Sequence, residues 1–180
     1  MQHYDVFSVV YEYGTEKLHG GHRRTALDLL GLSAGDSVLD VPTGTGANLP
    51  LLADVLGPTG HVYAVDYSPG MLARAQKKVD AAGWDNVTLV EGDARELDAA
   101  MIGLDASDEG VDAAICMLGL SVIHDWEDVF ERIYALVRPG GATLRLTAGR
   151  EYPIAATPAA ASAPEIWLLG SSDYSAHAAG

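Results

Sequence analysis

Three aspartates and a pair of glycines carry the chemistry that can be read in this chain. The stretch S-V-L-D-V-P-T-G-T-G-A-N-L, residues 37–49, is a short apolar run ending on Asp40 and Val41, a turn holding Gly44 and Gly46, and a start of helical apolar spacing. A strand, a glycine turn and a helix N-terminus make a cradle in which unpaired backbone N–H groups meet a ligand. Asp66 closes a second apolar run 22 residues after Gly44. A carboxylate in that place accepts hydrogen bonds from two ribose hydroxyls. Asp93 lies just past a third such run. Each aspartate alone is equally well a turn residue, but the three together are expected to ring one edge of a sheet.

Two ligand classes compete for such a cradle. A dinucleotide calls for G-x-G-x-x-G, whose third glycine lets helix and strand close on the pyrophosphate. Counted from Gly44, the third position is Leu49. Asp40, four residues before Gly44, would repel a phosphate and suits an ammonium group. S-adenosylmethionine offers an ammonium, a sulfonium, a ribose and an adenine without phosphate, so charge complementarity favours it over a nicotinamide dinucleotide. A nicotinamide-dependent oxidoreductase is the weaker alternative. No metal site is expected.

The elements that must position these residues alternate. Apolar runs begin near residues 37, 61, 87, 111 and 142, with helical patterns between them. This βαβ rhythm predicts a Rossmann-like, doubly wound parallel sheet with helices on both faces, an α/β fold. Helices are expected from His22 to Leu30, from Leu49 to Leu56, from Ser68-Pro69 to Gly83, over Arg95 to Ile102, and from Asp125 to Val137. Arg138-Pro139-Gly140-Gly141 reads as a tight turn ahead of a strand over Ala142 to Thr147. Tyr4, Phe7, Ser8 and Tyr11 fit a short amphipathic helix.

Bulk properties narrow the classes further. A chain of 180 residues suits one domain with a sizeable core. Its net charge of −14 argues against a broad nucleic-acid surface. The basic clusters His22-Arg23-Arg24 and Lys77-Lys78 read as solvated helix faces. The single cysteine, Cys116, allows no internal disulfide and sits in an apolar run. No signal peptide or membrane-length apolar run is visible, so a cytoplasmic location is expected.

Several of these stretches resemble a known family. D-V-P-T-G-T-G-A-N, Y-A-V-D-Y-S-P-G-M-L, E-G-D-A and L-V-R-P-G-G, in that order, are similar to motifs of class I S-adenosylmethionine-dependent methyltransferases. The likeness runs from about Tyr4 to Thr147. M-L-G-L-S-V-I-H-D resembles the ubiquinone/menaquinone branch, and Y-D-V-F-S-V-V-Y-E resembles an N-terminal element of small-molecule methyltransferases. The resemblance implies that Asp40 and the Gly44 and Gly46 backbone hold the methionine part, with Tyr11 at its carboxylate. It implies Asp66 on the ribose, Tyr67 and Met71 near the adenine, and Asp93 with the Ala94 N–H at its amino edge. Cys116 and Met117 would face the sulfonium region. His124 would be the base if a small-molecule acceptor must lose a proton; the plainer alternative is that it only precedes the helix start at Asp125.

The chain departs from the family pattern in two places. Pro42 stands where the family has its first glycine, and Thr43 where cysteine is common. The family's sheet usually ends in a β-hairpin, which is expected to be missing here. The methyltransferase domain is expected over 1–148, followed over 149–180 by a segment in which nine of the last thirty residues are alanine and none is lysine or arginine. Only Glu165 to Gly170 there looks like a strand. P-E-I-W-L-L-G-S-S-D-Y-S-A resembles a segment of luciferase-like flavin-dependent monooxygenases, but its thirteen residues are too few for a flavin barrel. A chain so built is expected to be a methyltransferase. The alternative is a truncated cofactor-binding domain that is inactive or needs a partner, with an exposed edge strand able to pair with another copy.

Overall fold

Short runs rich in valine, leucine and alanine become the strands, and the segments with helical spacing between them cross back over the sheet. The computed structural model describes residues 23–24, 27–28, 30–105, 109–117, 123, 125–147 and 165–170, with only the backbone described for 142–147 and 165–170. The elements are β1 (Ser37–Asp40), α1 (Leu49–Leu56), β2 (His61–Asp66), α2 (Pro69–Ala82), β3 (Val87–Glu91), a 3-10 turn (Ala94–Glu96), α3 (Ala99–Ile102), β4 (Val111–Met117), α4 (Trp126–Ala135), β5 (Val137–Thr147) and β6 (Glu165–Gly170). They form one sheet of six strands in the order β3-β2-β1-β4-β5-β6, and every pair is parallel. This is the expected Rossmann-like sheet.

Both faces are covered, as parallel strands require. Val38, Val62, Ala64, Ala113 and Ile115 pack with Leu49, Leu52 and Leu56 of α1 and Ala75 and Val79 of α2. The alternate residues Leu39, Val65, Ala114 and Cys116 pack on the opposite side with Ile102 of α3 and Val129 and Ile133 of α4. Helix α2 starts as its sequence predicts: Pro69 follows Ser68, whose Oγ accepts from the Met71 N–H at 3.4 Å. It ends at Gly83, which takes a left-handed conformation where a side chain would be strained.

Three details differ from the sequence reading. Arg138 to Gly141 do not precede the last expected strand but bulge inside β5, since Val111 pairs with Val137 while Ala113 pairs with Ala142. A side chain on Gly141 would meet the Asp112 carbonyl oxygen at 2.5 Å, so the bulge passes close against β4. The helix expected over Arg95 to Ile102 is split, because Asp98 turns out of the helix and caps α3 by accepting from the Met101 N–H at 2.8 Å. Asp125 occupies the N-cap of α4 without a side-chain capping bond; Glu127 and Asp128 in the first turn still complement the helix dipole. The strand expected at Glu165 forms, and it lies parallel to β5 at the sheet edge.

At the amino edge of the sheet a polar tie fixes the bulge. Asp112 accepts from the Ser37 N–H (2.7 Å), the Ser37 hydroxyl (2.9 Å) and Arg138 Nε (2.6 Å). Burial works against its charge, but these donors hold the carboxyl below its ordinary range. Ile133 is fully buried, so Ile133→Ala is expected to cost about 2–5 kcal/mol. Val55→Ala on the exposed side of α1 should stay within about 0.5 kcal/mol. Urea unfolding of both variants checks this, and equal losses would contradict the packing described.

Candidate functional site

The strand order reverses at β1, which has β2 on one side and β4 on the other. Open α/β sheets bind ligands outside the carboxyl ends of the strands at such a switch point. The glycine turn leaves β1 there. Register then separates the aspartates that the sequence placed on one rim. Asp40 pairs with Ala64, whereas Asp66 pairs with Glu91. Asp66 therefore stands two residues further along the strand direction, about 6–7 Å higher. Asp40 is 0% exposed beneath the turn, and Asp66 is 8% exposed at the rim.

Asp40 holds the turn from below. Its carboxylate accepts from the Thr43 hydroxyl at 2.7 Å and from Asn48 Nδ2 at 2.9 Å. Asn48 thus gives its amide to Asp40 instead of capping α1, at whose N-cap it stands. Burial pushes the Asp40 carboxyl up to about 6, against the Thr43 and Asn48 bonds and the positive charge of Arg23. Asp66 holds the turn from the side, accepting from the Gly44 N–H at 2.7 Å and from the Ser68 N–H at 2.9 Å. Burial raises its pKa as well, with those two N–H groups working in the other direction. The Val41–Pro42 peptide is cis, and the Thr43 N–H donates to the Val65 carbonyl at 2.8 Å.

The two glycines do different work. A side chain on Gly46 (φ +73°) would meet Leu49 Cδ1 at 2.6 Å and Ala75 Cβ at 3.1 Å, so Gly46 lets α1 and α2 close. A side chain on Gly44 (φ +59°) would meet nothing within 4 Å, so the turn faces open space at that point. Leu49, in place of a third glycine, is fully buried in the core under α1.

The remaining expected site residues are unevenly placed. Tyr67 follows Asp66 at 65% exposure, and Met71 is half-buried on the first turn of α2. Asp93 begins the 3-10 turn, with its carboxylate bonded to the Arg95 N–H and guanidinium, which lowers its pKa. Ala94 is buried beside it. Cys116 and Met117 reach the carboxyl end of β4, but successive strand residues face opposite sides. Cys116 packs toward α4 and Met117 toward α1 and α2. Tyr11 and His124 lie outside the described residues. A groove of about 410 Å³ runs between Arg95 and the outer side of α4, lined by Asp125, Asp128, Glu131 and Arg132, and does not lie over the glycine turn.

Three buried polar residues escape the sequence reading. Thr43 and Asn48 look like turn and cap residues. Arg23 reads as part of a solvated cluster, yet it is 8% exposed while Arg24 beside it is exposed. The signal was available: Arg23, Leu27 and Leu30 share the i, i+4, i+7 spacing of one helix face, and both leucines are buried.

The residues present fit a cofactor that is cationic at one end and carries a ribose. The turn faces open space at Gly44, a rim carboxylate stands beside it, and a second carboxylate lies behind it in place of a cation that would hold phosphate. Comparison with known proteins agrees. Residues 38–141 match the family of the methyltransferase domain, and the chain belongs to it. It is 31% identical over 144 residues to the demethylmenaquinone methyltransferase of Anoxybacillus flavithermus, covering 80% of this chain and 56% of that protein. With the enzyme of the same name from Listeria welshimeri it shares 34% over 125 residues, 69% of this chain and 50% of that protein. The chain therefore spans about half the length of the curated relatives it matches. A SAM-dependent methyltransferase from Aquifex aeolicus superposes with a TM-score of 0.62 at 25% identity, over 79% of this chain and 72% of that one. S-adenosylmethionine is thus the cofactor that the family implies.

Two predictions follow from this geometry. Gly46→Ala combines a left-handed backbone with a clash and should lower the melting temperature clearly more than Gly44→Ala, which carries the backbone strain alone, about 1–2 kcal/mol. Thermal melts that rank them the other way would refute the packing role of Gly46. The second concerns pH. Asp40's folded pKa, raised from 3.8 to about 6, makes its contribution to stability fully present below about pH 4 and lost as pH rises through 6. Asp40→Asn does not ionise, so its stability relative to the parent should improve by roughly 3 kcal/mol between about pH 4 and pH 7. Parallel pH profiles in chemical denaturation would contradict the raised pKa.

Proposed function

We propose that this chain binds S-adenosylmethionine across the carboxyl ends of β1, β2 and β4 and transfers its methyl group to a small-molecule acceptor. The observation that supports this best is the pair of carboxylates bracketing an open glycine turn, Asp40 behind it and Asp66 beside it. When bound, the cofactor supplies a methyl group on a sulfonium, which an acceptor displaces in line.

The residues then have separate tasks. Asp66 accepts from the ribose hydroxyls; a carboxylate has lone pairs enough to keep one of its N–H donors while doing so. The Gly44 and Gly46 backbone borders the methionine part, and Asp40 acts on its ammonium by charge through the turn, since its own oxygens are occupied. Tyr67 and Met71 flank the adenine, and Asp93 and Ala94 meet its amino edge, where Asp93 keeps Arg95 as a partner. Cys116 and Met117 contribute to the sulfonium end by their place at the tip of β4 rather than by exposed side chains. Tyr11 is proposed at the cofactor carboxylate. His124 is the candidate base where the acceptor must lose a proton. Holding acceptor and sulfonium in line supplies much of the rate, on the order of 7–11 kcal/mol in favourable cases.

The likeness to demethylmenaquinone methyltransferases supports an acceptor of the demethylmenaquinone kind. The all-parallel sheet would also suit a dinucleotide, but Leu49 fills the third glycine position and Asp40 places negative charge behind the turn.

Isothermal titration with S-adenosylmethionine tests the assignment. Asp66→Ala should weaken binding roughly ten- to hundredfold, the loss of charge-assisted hydrogen bonds worth about 1.5–3 kcal/mol. Asp80→Ala, on the exposed side of α2, should leave it within about twofold. Equal effects of the two changes would sink the ribose assignment.

A further inference from the structure

Arg23 is a buried cation for which neither the fold nor the cofactor reading has a use. It is 8% exposed, and its Nε has no hydrogen-bond partner among the described residues. A guanidinium taken out of water without compensation is costly, and it persists where an opposite charge answers it. Its place in the fold shows which charge that is. Leu27 and Leu30, on the same helix face, pack in the core that contains Val38, Leu49 and Leu52. The chain then turns at Gly31 and enters β1 at Ser37, so the helical segment runs down toward the amino edge and Arg23 stands at its upper end. Arg23 and Leu27 are both helical and buried, and Arg23 comes one turn earlier, further from the amino edge at which the chain enters β1. Asp40 leaves β1 on that same face, because Val38 two residues earlier belongs to that core.

We propose that Arg23 is a positioning residue for the cofactor turn: its buried positive charge keeps Asp40 ionised at neutral pH, and ionised Asp40 keeps Thr43 and Asn48 in place under Gly44 and Gly46. This rests on the cofactor reading given above, for it concerns the same turn. Among the described residues, the groups that act on Asp40 are few. Thr43 and Asn48 each donate one hydrogen bond. Asp66 at the end of β2 repels its charge, and Arg23 attracts it. From β4, Cys116 faces the opposite core, and α1 turns the apolar Leu49, Leu51, Leu52 and Leu56 inward. Arg23 is thus the one cationic side chain on this face of the turn among the described residues to which Asp40 responds. Without it, burial and Asp66 together would protonate Asp40 nearer to neutral pH. A protonated Asp40 must donate to one of its neighbours, and Thr43 or Asn48 must then turn to accept. Asn48 Oδ1, buried with no donor, is the acceptor at hand.

The test is the pH profile of S-adenosylmethionine affinity, measured by calorimetry on the parent chain, Arg23→Met, Arg23→Lys, and Asp40→Asn with and without Arg23→Met. In the parent, affinity should fall as pH drops through about 6. In Arg23→Met the fall should move upward by about one pH unit or more, and Arg23→Lys should restore the parent midpoint. In the Asp40→Asn background, Arg23→Met should move no midpoint. A folded Arg23→Met protein with the parent's midpoint overturns the proposal. If Arg23→Met is too unstable to titrate, the double variant decides by its urea midpoint. A larger gain from Asp40→Asn in the Arg23→Met background than in the parent supports the charge pairing, and an equal gain overturns it. A parent chain that is folded and binds no cofactor at any pH fails the cofactor reading instead, a result distinct from all of these.

Discussion

The site depends on a stagger of two residues between neighbouring strands. Because β1 ends at Asp40 opposite Ala64 while β2 continues to Asp66, two aspartates that look equivalent in sequence occupy different layers. The lower one is enclosed and grips the turn through Thr43 and Asn48. The upper one is at the rim and grips it through the Gly44 N–H. The turn therefore hangs between two anions. Two anions beside the turn disfavour a phosphate and suit a ligand with positive charge and hydroxyl groups.

Burying a carboxylate under a binding loop is unfavourable in itself. Desolvation raises the pKa of Asp40 to about 6, despite two side-chain hydrogen bonds and a nearby cation. Asp93, half-buried near the surface and paired with Arg95, shifts in the opposite direction. The contrast follows from depth: the same side chain is disfavoured as an anion inside the fold and favoured where a guanidinium meets it in water. A buried anion that also shapes a loop converts protonation into geometry, which an exposed one cannot do.

Most of the fold was legible because it rests on local pattern. The strands at Ser37, His61, Val87 and Val111, and the helix start at Ser68-Pro69, are each set by residues within a few positions of one another. The bulge at Arg138 to Gly141 was not, since it is fixed by Asp112 across the sheet. The site divides in the same way. Gly44, Gly46 and Asp66 come with their spacing, and the structure brings them together. Asp40's burial depends on register, which no single stretch of sequence encodes. Thr43, Asn48 and Arg23 were missed because polar residues near a helix start read as caps or solvent-facing groups until the neighbouring strand end is known. Cys116 and Met117 look like a pair in the sequence, although strand alternation sends them into separate cores.

The most direct measurement of where the cofactor sits is an amide NMR titration of this chain with S-adenosylhomocysteine, the demethylated product. A site hung between Asp40 and Asp66 should shift the resonances of Gly44, Gly46, Asp66, Tyr67 and Ala94 together, with one common saturation. Shifts confined to Arg95 and the outer side of α4, or none from a folded sample at millimolar ligand, would contradict it.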